Sequence, residues 1–368
     1  MTSVLTVNVG SSNVKLRLLD ANDEALWGRT VDIGARDSTS ETFRGFVAGA
    51  PVFDAVGHRV VHSGPHLRGA VHARDETVGY LRALEGLAPL HNAAALDLVD
   101  AGRAATAVPH VLCFDTTFHR DLPDDAAVYP VPWEWTEFGM RRYGFHGLSY
   151  AYATRRAAQL LERPAGELRL VICHLGSGAS VAAVEAGVSV DTTMGVTPNE
   201  GLMMGSRSGS IDPGGLLWIM REQGLSPAEA DELVERHAGL LGVSGVSSDI
   251  SAVFAAADRG EQRGKLAIAI YVRRLRAGIA AMTAAMGGLD ALVFTGGVGE
   301  HSPRVRDETC QGLGFLGVSL DAQANLEVAS DRLISAADAR VPTLVVHSRE
   351  DIEIAAEVRQ LLAADRGN

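Results

Sequence analysis

The sequence predicts a duplicated α/β fold of two domains flanking a cleft, and three observations support that expectation. An apolar strand, a Gly/Ser turn and a second apolar strand occur twice. The first copy centres on Gly10-Ser11-Ser12 and the second on Gly176-Ser177-Gly178, so Gly10 and Gly176 lie 166 residues apart. In each copy a further strand follows, and strands then alternate with helical patterns, which favours a duplicated architecture over a single Rossmann sheet. The 368 residues suffice for two cores.

The elements follow in order. Residues 3–9 and 14–20 read as a strand pair, with Ala25–Ile33 as a third strand. Ala55–Ser63 is a strand ending in a polar loop, and Asp75–Ala104 has helical spacing interrupted by Gly86, Pro89 and Leu90-His91-Asn92. His110–Phe114 is a short apolar strand with Asp115 at its C-terminal end, where open α/β sheets bind ligands. Asp121–Gly139, rich in Pro, Trp and acidic residues, reads as a crossing loop. Ser149–Leu161 is helical, Arg163–Gly166 turns into the second repeat, and Val184–Asp191 reads as its third strand. Helical patterns follow at Pro213–Gln223, Pro227–Ala238 and Gly264–Met286. Ala291–Thr295 is a buried-type strand whose Gly296–Glu300 sequel opens a helix, Thr343–His347 is a last strand, and Glu350–Leu362 is a terminal helix. The expected domains are residues 1–119 plus 352–368, and 120–351.

Hydrophobic residues make up 46% and charged residues 21%, as in ordinary globular chains. Acidic residues outnumber basic ones, 45 to 33, for a net charge of −12. That balance argues against a nucleic-acid partner, and an anionic substrate must be drawn in by local Arg and Lys. Cys113, Cys173 and Cys310 are far apart without CxxC spacing, which points to a reducing compartment and to cysteines in or near cores. The N-terminus has no signal-peptide pattern and no apolar run approaches the roughly 20 residues that span a bilayer. The expectation is a cytoplasmic protein with no membrane partner.

Each Gly/Ser turn can expose consecutive backbone N–H groups as an anion-binding nest. A hairpin needs small residues in any case, so one turn alone is weak evidence. The pair, with Asn8 and Lys15 beside the first and His174 beside the second, points to a polyphosphate and to phosphoryl transfer. Gly296-Gly297-Val298-Gly299-Glu300 between a strand and a helix adds a third close approach of backbone to ligand. GxGxxG and GxxxxGK[ST] are both absent, which disfavours a dinucleotide fold and a P-loop. Arg59 and Arg207 sit in glycine- and serine-containing loops, where a guanidinium can fork onto a carboxylate or phosphate. None of the 12 histidines shows zinc-ligand spacing. Glu350 and Asp351 at the start of the last helix are explained by the helix dipole alone.

These motifs, in order, resemble the acetate kinase family and its acyl-phosphate-forming relatives over nearly the whole chain. The matching stretches are Asn8–Lys15, Gly57–His62, Pro89–Asn92, Phe114–His119, Arg142–Gly147, His174–Gly178, Thr193–Pro198, Gly201–Pro213, Ser247-Ser248-Asp249 and Phe294–Ser302. The resemblance implies the duplicated actin/Hsp70/sugar-kinase (ribonuclease H-like) fold and reversible, Mg²⁺-dependent transfer of phosphoryl from ATP to acetate, giving acetyl phosphate and ADP, with Mn²⁺ as an alternative ion. It implies that Asn8 and Glu350 help hold the metal. Ser11 and Lys15 would lie near nucleotide phosphates, and Arg59 would bind the carboxylate or acyl phosphate. Asp115 would be a catalytic or orienting carboxylate, while His146 and Arg207 would stabilise the transferring group. Val61, Leu90, Phe145 and Pro198, with His91, would surround the acyl substrate. The nucleotide site would comprise His174, Leu175, Gly176, Ser177, Gly178, Asp249, Ile250, Ser251, Gly296, Gly297, Val298, Gly299 and Glu300. A homodimer is implied as well. Asn13, Ser177, Ser210, Ser251 and His301 differ from the residues usual in the family, mostly on the nucleotide side. The alternatives are a propionate or butyrate kinase, a kinase using another phosphoryl donor, and a nucleotide-binding switch without acyl transfer.

Overall fold

The computed structural model describes residues 2–10, 13–32, 43–47, 49–84 and 92–367. Ser11, Leu90 and His91, three of the expected site residues, lie outside the described residues. The chain divides into two compact units. The first comprises Met1–Arg120, Phe145–Tyr152 and Arg349–Asn368, and the second Asp121–Gly144 and Ala153–Ser348. Phe145–Tyr152 and Arg349–Asp351 therefore group with the first unit, whereas the ranges expected from the sequence put them in the second.

The first unit is built on a six-stranded sheet of β1 (Val4–Val9), β2 (Asn13–Leu19), β3 (Ala25–Asp32), β4 (Ala55–Val60), β5 (Val71–His72) and β6 (His110–Phe114), ordered β3-β2-β1-β4-β6-β5. β1, β2 and β3 are antiparallel neighbours, whereas β1, β4 and β6 run parallel. Five of the six residues of β1 and of β4 are buried, as in central strands covered on both faces. β2 alternates exposed Lys15 and Arg17 with buried Val14, Leu16 and Leu18, the mark of one solvated face. One core joins Leu5, Leu16, Val56, Leu112 and Phe114 to Val78 and Leu81 of the helix Asp75–Ala83 and to Leu96 and Val99 of the helix Asn92–Ala105. The other joins Val4, Leu19, Ala55 and Val111 to Ile354, Ala355 and Val358 of the terminal helix Glu350–Gly367. A side chain at Gly57 would overlap Ile354 and Val358, so glycine lets that helix close onto β4.

The second unit repeats the plan with β7 (Arg169–Leu175), β8 (Ala179–Glu185), β9 (Val188–Thr192), β10 (Ala291–Thr295), β11 (Arg332–Leu333) and β12 (Thr343–Val345). Its order is β11-β12-β10-β7-β8-β9. An antiparallel triplet, two further parallel strands and an antiparallel edge strand recur with the connectivity of the first sheet. The predicted duplication is thus present strand for strand. Local chemistry sets the helix starts. Asp212 caps Pro213–Gln223 by accepting from the Gly214 and Gly215 amides. Ser226 and Glu229 form a capping box for Pro227–Arg236. The long helix Gln262–Ala285 buries Ala267, Ile268, Tyr271, Leu275, Ile279 and Met282, a stripe at helical spacing.

Some expected elements differ. Val184–Asp191 is not one strand, because Ala186 and Gly187 both have positive φ (52° and 84°) and form a two-residue hairpin between β8 and β9. The segment read as a crossing loop contains the short helices Asp124–Ala127 and Trp133–Glu137. Gly296–His301 is itself a short helix, and Ser302 then caps a second one, Pro303–Cys310. The helices Gly239–Ser244 and Ile250–Asp258 are additional. All three cysteines are free and buried, as expected.

Candidate functional site

In the first unit, four of the expected site residues meet in one hydrogen-bonded cluster. Asn8 and Arg59 lie near the carboxyl ends of β1 and β4, Asp115 directly follows β6, and Glu350 opens the terminal helix. Parallel strands that end together bring their last residues to one edge of the sheet. Arg59 donates from Nε (3.1 Å) and Nη2 (2.6 Å) to Oδ2 of Asp115. Its Nη1 donates to Asn8 Oδ1 at 2.9 Å and to Glu350 Oε2 at 3.3 Å. Asn8 Nδ2 donates to the same Glu350 oxygen at 2.5 Å.

Asp115 is only 1% exposed at its side chain, against 12% for both Arg59 and Glu350. Burial raises the Asp115 carboxyl above its ordinary value; the Arg59 charge opposes that shift and Glu350 adds to it. For Arg59, burial works against the charge, but Asp115 and Glu350 outweigh it and keep the guanidinium protonated. Two carboxylates facing one guanidinium leave a net negative cluster; Asp115 Oδ1 is buried, and the Leu148 backbone adds a contact that favours the charged carboxylate. The forked edge expected to meet a ligand is therefore turned onto Asp115.

The supporting contacts lie close by. His146 lies in the segment Phe145–Tyr152, which returns to the first unit, and takes a left-handed backbone, φ 59°, just before the helix Gly147–Leu160. The Tyr150 amide donates to the His146 carbonyl. A side chain at Gly147 would overlap the Asp115 carbonyl, so the next position must be glycine for this turn to pack against Asp115. Val61 and Phe145 are buried, 7% and 1% exposed, and the His62 ring meets Phe145 edge-on at 5.8 Å. Burial lowers His62 to about 4, so it is neutral at pH 7. The Asn92 side chain accepts from the His62 amide and donates to the His62 carbonyl, both at 3.0 Å, in the manner of a strand neighbour. Lys15 stands directly opposite Asn8 in the β1–β2 register, on the same face of the sheet, and is exposed.

The second unit brings together most of the segments expected to hold nucleotide. The Gly176 amide donates to the Gly178 carbonyl at 2.9 Å, closing the turn after β7, just as the Gly10 amide donates to the Asn13 carbonyl at 2.8 Å in the first unit. In both turns one amide is engaged internally, which leaves fewer for an anion than the bare sequence suggests. Gly296, φ 77°, packs against the Leu175 backbone so closely that a Cβ would lie 2.8 Å from its carbonyl oxygen. The Gly205 amide reaches the Ser177 carbonyl at 3.5 Å, and a Cβ at Gly205 would lie 2.8 Å from the Ser248 carbonyl. The loops after β7 and β10 and the segments around 205 and 248 are therefore neighbours. His174 is 9% exposed, whereas Ser177 is exposed.

Several expected nucleotide residues have local partners. Asp249 caps its own helix by accepting from the Ser251 amide at 3.0 Å, and Ile250 is core, 4% exposed. Glu300 Oε1 accepts from the Ser348 amide at 2.8 Å. Ser251 and Gly297 are exposed, Val298 half-buried and Gly299 buried. Arg207 is tied through Nε to Glu235 Oε2 at 3.1 Å and through Nη1 to the carbonyl of the buried Pro198 at 3.3 Å. Burial raises the Glu235 carboxyl, and Arg207 pulls it back.

Sequence reasoning missed Glu235, Glu200 and Arg306. Glu235 reads as a solvated position of an amphipathic helix. Arg306, 1% exposed, donates to the Gly299 and Glu300 carbonyls at 2.7 and 2.8 Å and to Asn325 Oδ1 and O at 2.7 and 2.6 Å. It braces the glycine-rich helix from behind. Its place three residues after Pro303, in a run of charged residues, gave no sign of burial.

The oxygen donors Asn8 Oδ1, the Glu350 carboxylate and the buried Asp115 carboxylate suit a hard divalent cation. Among the described residues, no group of three or more His, Cys, Asp or Glu could hold a metal by itself. That is compatible with Mg²⁺, which binds through one or two carboxylates together with substrate phosphates and water.

The chain matches the model of the Acetokinase family over residues 48–356. It is 50% identical over 310 residues to an acetate kinase of Trichormus variabilis, covering 84% of this chain and 76% of that protein. Over 318 residues it is 50% identical to an acetate kinase of Gloeobacter violaceus, covering 86% and 78%. Among solved structures it is similar to Porphyromonas gingivalis acetate kinase, with a TM-score of 0.88, 34% identity and coverage of 98% of this chain and 100% of that one. A propionate kinase from Francisella tularensis gives 0.89, 32%, and coverage of 97% and 99%. With its duplicated sheets and the matched segments in order, the chain belongs to the acetokinase family.

Proposed function

We propose that this chain is a carboxylate phosphotransferase that moves the terminal phosphoryl group of ATP to acetate: acetate + ATP ⇌ acetyl phosphate + ADP. The observation that carries the reading is the Asn8–Arg59–Asp115–Glu350 cluster at the carboxyl ends of β1, β4 and β6. Family membership supports the same chemistry.

A carboxylate acceptor is already ionised at pH 7, so no strong general base is needed. The difficulty is electrostatic. Two like unit charges ~4 Å apart at an effective dielectric of ~20 repel by about 4 kcal/mol. Arg59 and Arg207 are the cations assigned to offset this repulsion, with His146 as a further donor to the transferring group. Asp115 holds Arg59 in one orientation and is an orienting carboxylate rather than a proton acceptor. Val61, Phe145 and Pro198 are assigned to the acyl pocket. The turns at Gly10 and Gly176, and the Gly296–Glu300 segment, are assigned to ATP, together with Lys15. Asn8 and Glu350 would hold Mg²⁺, which when bound neutralises charge on the phosphate oxygens.

A cytoplasmic homodimer completes the reading. The homodimer rests on the likeness to the acetokinase family alone, and the location on that likeness and on the free cysteines. The likeness to a propionate kinase makes acyl-chain preference the open variable. Acyl hydroxamate formation across acetate, propionate and butyrate, each with ATP, GTP and pyrophosphate, tests substrate and donor together. Hydroxamate from acetate with ATP is expected, and none from any combination would refute the reading.

A further inference from the structure

The 193–200 loop leads from β9 towards Arg207, and a single carboxylate closes it on itself. Glu200 Oε1 accepts from Arg142 Nη2 at 2.9 Å, and Oε2 accepts from the Tyr129 hydroxyl. The same two partners hold the beginning of the loop. Arg142 Nη1 donates to the Thr193 and Met194 carbonyls at 3.3 and 3.2 Å, and the Tyr129 oxygen accepts from the Val196 amide at 3.2 Å. The Arg142 guanidinium also lies over the Tyr129 ring, 5.4 Å from its centroid. A side chain at Gly195 would overlap both Glu200 and Tyr129, so the clasp closes only over glycine. Pro198, two residues before Glu200, presents its carbonyl to Arg207 Nη1, while Glu235 holds Nε of the same guanidinium. Arg207 is thus gripped at two atoms, one by a neighbouring helix and one by the loop that Glu200 closes.

We infer that Glu200 is a positioning residue for acyl phosphorylation: clasped by Tyr129 and Arg142, it fixes the loop whose Pro198 carbonyl orients Arg207. The inference rests on the role proposed above for Arg207. A guanidinium that must meet developing charge loses much of its effect when displaced, since a misplacement of ~1 Å can cost about a hundredfold in rate. The clasp accounts for three polar side chains that have no direct part in the proposed chemistry, and it closes a loop carrying Pro198, assigned above to the acyl pocket.

The test uses Glu200→Ala, Glu200→Gln and Tyr129→Phe in the full chain, with kcat and KM measured separately for acetate and ATP. Glu200→Ala is expected to lower kcat/KM for acetate by about ten- to a hundredfold with little change in KM for ATP. Glu200→Gln, which still accepts from Arg142, should recover part of the loss. In an Arg207→Ala background the Glu200→Ala change should cost less than about twofold more, because residues acting through one another are not additive. Near-wild-type acetate kinetics in Glu200→Ala, a loss that appears mainly as a raised KM for ATP, or full additivity with Arg207→Ala would overturn the inference. Hydrogen exchange of the loop amides separates this failure from failure of the functional reading. Whatever the wild type phosphorylates, Glu200→Ala should speed exchange at Val196, and unchanged exchange would overturn the clasp.

Discussion

Nε and Nη2 of Arg59 both converge on one oxygen of Asp115, Oδ2, while Oδ1 is buried and the Leu148 backbone also favours the charged carboxylate. The arrangement makes Asp115 the fixed point of the first unit's polar cluster, because Arg59 then distributes its remaining donors to Asn8 and Glu350.

Asp115→Asn keeps the shape but removes the charge that anchors Arg59. Turnover of acetate is expected to fall by about a hundredfold or more, with a changed dependence on magnesium. Asp115→Ala leaves the largely buried guanidinium with Glu350 alone as counter-charge, and should lower stability in denaturant titrations. Near-normal turnover and magnesium dependence in Asp115→Asn would remove Asp115 from the mechanism.

Arg59→Ala and Arg207→Ala should each lower kcat/KM by about a thousandfold, the scale of a phosphoryl-stabilising arginine. Arg59→Lys should rescue little. One ammonium lacks the planar fork that serves Asp115 and Asn8 together. Steady-state kinetics at saturating ATP distinguish these cases, and a Lys variant within about tenfold of wild type would show that charge alone suffices.

Glu357 gives the pH dependence a definite sign. Burial in the terminal helix Glu350–Gly367, with Glu353 adding, raises its carboxyl from the ordinary 4.5 to about 7. The folded state therefore keeps a proton that the unfolded chain releases. That contribution to stability is complete below about pH 4.5 and disappears as pH rises through about 7. The shift corresponds to about 3 kcal/mol. Glu357→Gln should raise Tm relative to wild type at pH 8, and the gain should shrink at pH 5. A difference in Tm that ignores pH would contradict the assignment.

Arg306→Met tests the brace behind the Gly296–His301 helix. Losing its bonds orphans the Gly299 and Glu300 carbonyls and both Asn325 oxygens. A loss of at least about 3 kcal/mol in stability is expected. KM for ATP should rise more than KM for acetate. A variant with unchanged stability would mean that these carbonyls find other partners.

Much of this was legible in the sequence because the signals were local. His110–Phe114 and Ala291–Thr295 are short, mostly apolar runs, and Pro213–Gln223 carries its own cap. The repeat disclosed the duplication before any strand order was known. What was not legible depends on tertiary pairing. Two positive φ values at Ala186 and Gly187 break what looks like one strand, although only the glycine announces a turn. Glu200, Glu235 and Arg306 look like surface charges until partners far along the chain engage them. Asp249 and Glu300 stand in motif segments, yet their carboxylates are engaged by the backbone amides of Ser251 and Ser348. Residue type alone could not distinguish a ligand contact from a cap.

Acyl hydroxamate formation by the purified chain is the most direct measurement. Acetate, ATP, Mg²⁺ and hydroxylamine should yield acetohydroxamate with the wild type and almost none with Arg59→Ala of comparable Tm. Wild-type protein that yields no hydroxamate from any short carboxylate, or an Arg59→Ala variant that yields as much as wild type, would contradict the account.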